Sequence, residues 1–379
     1  MSNNLCRVLV TGADGFIGKN LIVHLSELPE FKICTFTRSS KLSELSVLVA
    51  QSDVIVHLAG ENRPRDEQAY SLVNTELTKT LCNVVANSIQ ANGRKIPIIL
   101  ASSAQAVMNN AYGQSKLAAE CAVSELSKTT GNPSVIFRFP GIFGKWCKPN
   151  YNSVVATFCY NIARNLPIKV DNKNSVLQLV YIDDVVAGII NHIRGPYSEG
   201  ITWGVIEPEY AITLGDLAEE IKAFSSCRGS SLSLKGVGVG FLRALYATYV
   251  SNLPSEEFSY QIVRHEDARG VFVELLKTSD CGQISYFTAH PGVTRGGHYH
   301  HTKTEKFLVV KGRALFRFRH LITNEQYKLE TSSDNPCVVD TIPGWAHDIT
   351  NVGSEEMVVM LWANENFDHK KPDTVTCRP

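Results

Sequence analysis

The sequence carries no net charge, because 37 Lys and Arg residues balance 37 Asp and Glu residues over 379 positions. A neutral chain argues against nucleic acid or an anionic membrane as the main partner, although a local basic pocket can still hold a phosphorylated ligand. No apolar run reaches the length of a transmembrane helix. The N-terminus also lacks the basic segment, apolar segment and cleavage site of a signal peptide. We therefore expect a cytoplasmic protein that does not insert into a membrane.

Cysteine pairs of the CxxC type are absent, although the chain contains ten cysteines. The cysteines are scattered, and several of them, such as Cys6 and Cys34, lie in or beside apolar runs typical of buried strands. This distribution favours reduced core thiols in a cytosolic protein over a disulfide framework. Internal repeats and low-complexity tracts are absent as well.

Length and an apolar content of 44% allow two or three domains, each with its own core. Up to about residue 245, apolar strand-like runs alternate with helix-length stretches, which is typical of a doubly wound parallel sheet. From about residue 258, short strand-like runs separated by turn residues predict a compact all-β barrel or sandwich. We therefore predict an α/β domain over residues 1–250 and an all-β domain over residues 251–379.

A glycine-rich turn follows the first strand-like run and opens a helical stretch, with the spacing Gly-x2-Gly-x2-Gly. Without side chains, the backbone turns tightly and approaches a pyrophosphate, whose charge meets the amides at the helix N-terminus. The turn therefore predicts a dinucleotide site. Its expected contacts are Gly12, Gly15, Phe16, Ile17 and Gly18.

The end of the second strand-like run indicates which dinucleotide is used. NAD-selective sites usually place an acidic residue there, against the ribose 2′-hydroxyl. This chain has Arg38 between hydroxyl residues and no acid at that place. Because a guanidinium suits a 2′-phosphate, we expect NADP(H). An ordinary surface arginine is the alternative interpretation.

Tyr112 and Lys116 are four residues apart and therefore lie on one face of a helix. An ammonium near a phenol lowers the pKa of the phenol, which can then exchange a proton with a carbonyl oxygen. The stretch Leu100-Ala-Ser-Ser103 precedes this pair and ends a strand-like run. The stretch and the pair together predict a proton relay that serves hydride transfer to or from a ketone.

These motifs resemble the extended short-chain dehydrogenase/reductase family over roughly residues 5–245. The resemblance implies that Ser103 orients the substrate, with Ser102 as the alternative. Only eight residues separate Ser103 from Tyr112, which is fewer than is usual in the family. The resemblance also implies further cofactor contacts, which are Asp53, Leu58, Ala59, Gly60, Lys116 and Phe139.

A second set of residues in the C-terminal part has the composition of a metal site. His298 and His300 share one face of a strand, Glu305 follows, and His347 comes about forty residues later, after Pro343-Gly344. Imidazoles and a carboxylate suit Zn, Fe, Mn or Ni, and we expect one divalent metal, with Zn as first choice because no redox step is needed. The arrangement resembles the two-part motif of the cupins, whereas His301 faces the other side of the strand.

The same region resembles the deoxysugar 3,5-epimerases at Asp267-Ala-Arg269-Gly270 and at Arg295-Gly-Gly-His298. In those enzymes an arginine and a histidine at matching places handle the diphosphate sugar and the proton α to a carbonyl. His298 therefore has two possible roles. We assign it to the metal, so that the proton-transfer base is left unidentified.

Together the two parts resemble the two-domain capsular-polysaccharide enzymes that make the UDP-N-acetyl-L-fucosamine precursor. The resemblance implies a C3 epimerase fused to an NADPH-dependent C4 reductase, a UDP-sugar substrate, the product UDP-2-acetamido-2,6-dideoxy-L-talose and a homodimer. Two alternatives are a dehydrogenase fused to a metal-dependent cupin oxygenase, and a dinucleotide sensor with a structural metal. A sensor has no use for a proton relay.

Overall fold

The computed structural model describes residues 5–64, 66–278, 280–368, 370 and 372–379. The chain forms two compact units. The first unit comprises Met1–Glu219 and Ala247–Asn252, and the second comprises Glu220–Tyr246 and Leu253–Pro379. The single domain boundary near residue 250 stays a prediction from the sequence.

The first unit contains nine strands of the described chain. They are β1 (Cys6–Thr11), β2 (Phe31–Phe36), β3 (Val54–His57), β4 (Ile98–Ser103), β5 (Ser134–Phe139), β6 (Gly141–Phe143), β7 (Val176–Tyr181), β8 (Ile201–Gly204) and β9 (Glu209–Thr213). The helices up to the end of this region are α1 (Phe16–Ser26), α2 (Leu45–Gln51), α3 (Leu77–Asn92), α4 (Ala111–Thr130), α5 (Val154–Ile162), α6 (Ile182–Ile193) and α7 (Leu214–Ser226). Short 3-10 or π turns occupy Leu42–Glu44, Tyr70–Glu76 and Ala104–Val107.

Six parallel strands form the main sheet, in the order β2-β1-β3-β4-β5-β8. Its strands are apolar along their length because helices cover both faces, and Leu9, Ile55, Ile98 and Ile136 are fully buried in one core cluster. The strand order reverses at β1, which lies between β2 and β3. In such sheets ligands bind at the carboxyl ends of the strands beside the reversal. A smaller sheet has the order β6-β7-β9.

The second unit is built mainly of antiparallel strands. Its strands are β10 (Ser233–Leu234), β11 (Arg264–Asp267), β12 (Gly270–Thr278), β13 (Gly282–Ala289), β14 (Thr294–Tyr299), β15 (Glu305–Lys311), β16 (Arg313–His320), β17 (Gln326–Ser332), β18 (Val338–Thr341), β19 (Trp345–Asn351), β20 (Met357–Ala363) and β21 (Val375–Thr376). Helix α8 (Gly240–Val250) lies between β10 and β11 in the sequence. Short turns occupy Cys227–Ser231 and Ser255–Glu257.

Two sheets pack around one core in this unit. One sheet has the order β10-β12-β13-β20-β15-β18, with β11 paired to β12, and the other has the order β17-β16-β19-β14-β21. The core takes Phe307 and Val359 from the first sheet and Phe316 and Ile349 from the second. The predicted fold class, a Rossmann-type parallel sheet followed by a region of antiparallel strands, is therefore confirmed. Of the helices in the described ranges, none combines the length and apolar character that a membrane span requires.

Candidate functional site

The turn after β1 approaches the end of β3 so closely that a side chain does not fit. Gly12 has a φ of +68°, and a Cβ placed there would lie 2.6 Å from the Ala59 nitrogen. A Cβ on Gly18 would lie 2.4 Å from the Gly12 carbonyl oxygen. Helix α1 starts at Phe16, and no side chain among the described residues caps its first turn. The first amides of the helix, including that of Ile17, are thus available to a pyrophosphate, and this cradle fits a dinucleotide.

The segment after β3 brings the glycine turn toward the predicted relay. A Cβ on Gly60 would lie 3.1 Å from Lys116 Nζ and 3.0 Å from Asn74 Oδ1. The Asn74 side chain accepts a hydrogen bond from the Glu61 amide at 2.7 Å and donates one to Ser115 at 2.9 Å. Leu58, Ala59 and Gly60 therefore line the same edge of the sheet as Gly12 and Lys116.

The predicted relay residues come together at the end of β4 and the start of α4. The Ser103 hydroxyl is hydrogen-bonded to Tyr112, and this contact lowers the phenol pKa, whereas burial, the larger effect, raises it. Lys116 is buried and donates to the Ala101 carbonyl oxygen at 3.0 Å. Burial lowers the pKa of Lys116 to about 8, and the charge of Glu120 acts in the opposite direction. Tyr112 and Lys116 lie one turn apart in α4, so both side chains belong to the face of the helix that the sequence predicts for a proton donor and its cation.

A buried carboxylate separates the roles of the two adjacent serines. Ser102 donates to Glu120 at 2.5 Å, and Arg138 binds the same carboxylate through two nitrogens, at 3.0 and 2.7 Å. Ser102 is thus engaged away from Tyr112. Of the two serines that the sequence leaves open, the structure favours Ser103. Phe139, which follows Arg138, is buried at the end of β5 and pairs with Ser103 in the sheet register.

Arg38 lies just beyond β2, as the sequence predicts, but it has an acidic neighbour that sequence reasoning missed. Its exposed guanidinium forms an ion pair with Glu61, which follows β3. No acidic residue neighbours Arg38 in the sequence, as expected, but the fold brings the carboxylate of Glu61 to it. Because β2 and β3 both flank β1, their carboxyl ends meet, and this topology is the signal that could have found Glu61.

Asp53 is the one predicted cofactor contact that the structure places elsewhere. It precedes β3, so it lies at the amino end of the strands, opposite the glycine turn. There it accepts hydrogen bonds from the Arg7 amide at 2.8 Å and from Arg94 at 2.7 Å. The carboxylate ties β1 to the chain before β4, which is a structural role, and we leave it out of the proposed cofactor site.

The four predicted metal ligands converge from β14, the turn that follows it, β15 and β19. The nearest ligand atoms of His298, His300, Glu305 and His347 all lie within 4.8 Å of one another. Glu305 Oε2 is 3.2 Å from His300 Nε2 and 3.6 Å from His347 Nε2. His347 Nε2 is buried and has no hydrogen-bond partner among the described residues. Three imidazoles and a carboxylate aimed at one point, with an orphaned nitrogen among them, fit a divalent metal.

Charges around this cluster suit metal ligation. Burial raises the pKa of Glu305, but His300, His347 and Lys303 together lower it more, so the carboxylate is held ionised. Burial and then the neighbouring imidazoles lower the pKa of His298 to about 4, so its ring is neutral at pH 7. Metal ligands must be deprotonated, and Glu305 and His298 are already in that state before a metal binds.

A cavity of about 170 Å³ lies beside the cluster and is lined by Arg295, His298, Glu305 and His347, among other residues. Arg295 stacks over Phe287, with 5.3 Å from its guanidinium carbon to the ring centroid. Arg269 and Arg295 line both this cavity and a larger one of about 530 Å³ that opens outward. The two arginines are thus common to both cavities, and Arg269 is ion-paired with Asp267 at 2.6 Å.

The parallel sheet with its glycine cradle and Ser–Tyr–Lys cluster defines a dinucleotide-binding enzyme class. Residues 8–200 match the NAD dependent epimerase/dehydratase family, and residues 265–375 match the polysaccharide biosynthesis C-terminal domain. The chain therefore belongs to the NAD dependent epimerase/dehydratase family and carries a polysaccharide biosynthesis C-terminal domain.

Two of the similar proteins match nearly the whole chain. One is the UDP-2-acetamido-2,6-beta-L-arabino-hexul-4-ose reductase of Pseudomonas aeruginosa, which is 51% identical over 98% of both chains. Another is the crystal structure of capsular polysaccharide assembling protein CapF from Staphylococcus aureus, with 41% identity, a TM-score of 0.88 and coverage of 98% of this chain and 100% of that one. The UDP-glucuronic acid 4-epimerase of Bacillus cereus, in complex with NAD, shares the fold alone, with 17% identity, a TM-score of 0.55 and coverage of 65% of this chain and 96% of that one.

Proposed function

We propose that this chain is a bifunctional nucleotide-sugar enzyme of capsule or O-antigen polysaccharide biosynthesis, whose C-terminal unit epimerises C3 of a UDP-4-keto-6-deoxy-N-acetylhexosamine. Its N-terminal unit then reduces the C4 ketone to give UDP-2-acetamido-2,6-dideoxy-L-talose. The observation that carries the proposal is the pairing of an intact Ser–Tyr–Lys cluster with a three-histidine, one-carboxylate cluster on one chain. The similarity to a named hexul-4-ose reductase supports a keto-sugar substrate.

In the reductase site, the residues hold the ketone and deliver a proton. NADPH, when bound, supplies the hydride that adds to C4. Ser103 and Tyr112 both place hydroxyls at the end of β4, where they can donate to the ketone oxygen. The Tyr112 proton passes to that oxygen as the C4–H bond forms, so the ketone becomes a secondary alcohol. Lys116, a buried lysine one helical turn from Tyr112, is the residue that would stabilise the phenolate that is left.

In the C-terminal unit, the cavity residues hold the diphosphate and the keto-sugar. A divalent metal, when bound, would stabilise negative charge on the C4 oxygen. A C4 ketone acidifies the C3 proton, so that proton removal on one face and return on the other inverts C3. Arg269 and Arg295 are suited to the UDP diphosphate because they line both the cavity beside the cluster and the larger cavity. We propose His298, His300, Glu305 and His347 as the ligands, with Zn as the metal.

The order of the two steps follows from the chemistry. Epimerisation needs the C4 ketone, and reduction removes that ketone. C3 must therefore be inverted before C4 is reduced, which makes the product of one unit the substrate of the other. Neither a dinucleotide sensor nor a separate oxygenase explains why a ketone-reducing relay and this cluster share one chain. We propose a homodimer by similarity, and the molar mass from gel filtration with light scattering tests this.

The test is NMR analysis of the product formed from a UDP-4-keto-6-deoxy-N-acetyl sugar and NADPH in D₂O, with and without oxygen. We expect one deuterium at C3, inverted configuration there, and a new hydroxyl at C4, all independent of oxygen. The same analysis with Tyr112→Phe should show deuterium at C3 but little reduction at C4. Tyr197→Phe is its matched control, because Tyr197 also loses a hydroxyl in the same unit, one that donates to the Ile193 carbonyl oxygen at 2.9 Å. Oxygen consumption, or NADPH oxidation without C4 reduction, would contradict the proposal.

A further inference from the structure

The C-terminal segment of the chain lies along β14, which carries the candidate metal ligand His298 and is followed at once by the candidate ligand His300. Strand β21 pairs with β14, with Thr376 opposite His298 and Val375 opposite Tyr299. The Cys377 amide donates to the Gly297 carbonyl oxygen at 2.9 Å. Asp373 precedes this pairing and faces the turn that joins β14 to β15.

Asp373 binds the turn at four points. Its carboxylate accepts hydrogen bonds from the amides of His301, Thr302 and Lys303 at 2.9, 2.7 and 2.8 Å. It also accepts from the Thr302 hydroxyl at 3.1 Å. Three successive amides converging on one carboxylate fix the backbone between His300 and Glu305, which are both candidate ligands.

Two further contacts carry this restraint to the ligands themselves. The Asp373 carbonyl oxygen contacts His300 Nδ1. With its proton on Nδ1, His300 presents Nε2 as the free acceptor, and Nε2 is the atom that lies 3.2 Å from Glu305 Oε2. Lys303, whose amide Asp373 holds, places its ammonium 2.8 Å from Glu305 Oε1. Oε1 is thereby occupied, and Oε2 is left facing the imidazoles.

We propose that Asp373 is a positioning residue for the metal centre, whose carboxylate fixes the turn between His300 and Glu305 and, through Lys303 in that turn, orients Glu305. This inference rests on the metal centre put forward under the proposed function. Outer hydrogen-bond partners of this kind fix the tautomer and direction of ligands, and their loss costs about 10- to 100-fold in metal affinity. The role is unusual in coming from a residue about 70 positions away along the chain from the turn it restrains.

The experiment measures Zn²⁺ affinity of the full chain by competition with a chromophoric chelator. Asp373→Ala removes the carboxylate and should weaken Zn²⁺ binding by about 10- to 100-fold. Asp373→Asn keeps the shape of the side chain, so its Zn²⁺ affinity should lie between that of Asp373→Ala and that of the unchanged protein. Asp334→Ala is the matched control, since it removes an exposed aspartate from a turn of the same unit. We expect it to bind Zn²⁺ like the unchanged protein.

A second pair of variants separates positioning from folding. Lys303→Met removes the contact to Glu305 Oε1, and Lys303→Arg retains a cation there, so arginine should recover most of the Zn²⁺ affinity that methionine loses. Urea unfolding of the metal-free proteins should give Asp373→Asn a free energy of unfolding close to that of the unchanged protein. If Asp373→Asn is instead less stable, and this loss of stability accounts for the whole loss of Zn²⁺ affinity, Asp373 has only a structural role and the inference is wrong.

The outcomes also distinguish this inference from the metal proposal. Should the unchanged protein bind neither Zn²⁺, Mn²⁺, Fe²⁺ nor Ni²⁺, the metal centre itself is refuted and the role of Asp373 with it. Should the unchanged protein bind Zn²⁺ and Asp373→Ala bind it equally well, only the positioning role is refuted.

Discussion

Lys116 is a buried charge whose removal should stabilise the protein while abolishing reduction. Burial lowers its pKa to about 8 from 10.5. Each pKa unit corresponds to about 1.4 kcal/mol, so the charged lysine costs the folded state about 3 kcal/mol at pH 7. Methionine keeps an unbranched side chain and loses one hydrogen bond to Ala101, which costs about 1 kcal/mol. We therefore expect Lys116→Met to raise the free energy of unfolding by about 2 kcal/mol at pH 7.

The sign of the pH dependence follows from the two protonation states. Below pH 8 the lysine is charged in both states, and the folded state bears the full penalty. Between pH 8 and 10.5 the unfolded chain keeps a proton that the folded chain has lost, so the stability of the unchanged protein rises with pH. The advantage of Lys116→Met should therefore shrink to about half a kcal/mol at pH 9.5.

Hydrogen exchange of cofactor-free protein in low urea measures this prediction, because peptides from β4 and α4 report the N-terminal unit alone. Lys128→Met is the matched control: Lys128 is exposed in the last turn of the same helix, and its loss should destabilise by about 0.3–1 kcal/mol through the helix dipole. The reasoning is refuted if Lys116→Met is destabilising at pH 7, or if its effect does not change between pH 7 and 9.5.

Three further predictions concern the proton donor, the cofactor and the metal. Tyr112→Phe should lower ketone reduction by about 100-fold or more while NADPH binding and C3 deuteration persist; a normal rate would place the donor elsewhere. NADPH should be preferred to NADH, Arg38→Ala should narrow the preference by about 10- to 100-fold, and Glu61→Gln should widen it by about 2- to 5-fold because it frees the guanidinium. Equal kcat/KM for the two cofactors would refute this. Zn²⁺ at 100 times its Kd should stabilise the C-terminal unit by about 2.7 kcal/mol, and His347→Ala should abolish that gain in a thermal melt.

The sequence predicts those parts of the fold and site that depend on local pattern. Strand-like apolar runs identify the parallel sheet because each strand is buried on both faces. The antiparallel region is identified by the change, near residue 258, to short strand-like runs separated by turn residues. The glycine turn was recognisable because Gly12 and Gly18 stand where any Cβ would meet backbone atoms. Tyr112 and Lys116 were recognisable because helical spacing alone puts them on one face.

Residues that act across the fold could not be predicted in this way. Glu61 stands 23 residues from Arg38, and only the order of β2, β1 and β3 brings the two together. The prediction that Asp53 contacts the cofactor has a related weakness. An apolar run identifies a strand, but it does not show that a residue before the strand lies at the end away from the cofactor. Asp373 gave no signal, since its partners are backbone amides, which are the same in every sequence.

The long separation between Asp373 and its partners has a consequence for how the protein is made. The N-terminal unit is complete in sequence at Asn252, whereas the turn between β14 and β15 is restrained only once Asp373 has been added, about 120 residues later. At about 5–20 residues per second, synthesis of these residues takes about 5 to 25 s, and only then can Asp373 restrain the turn between the proposed ligands. Under the proposed metal site, loading would be a late event of biogenesis, because a nascent chain that stalls before residue 373 has a complete nucleotide-binding unit but lacks the residue that restrains the proposed ligands.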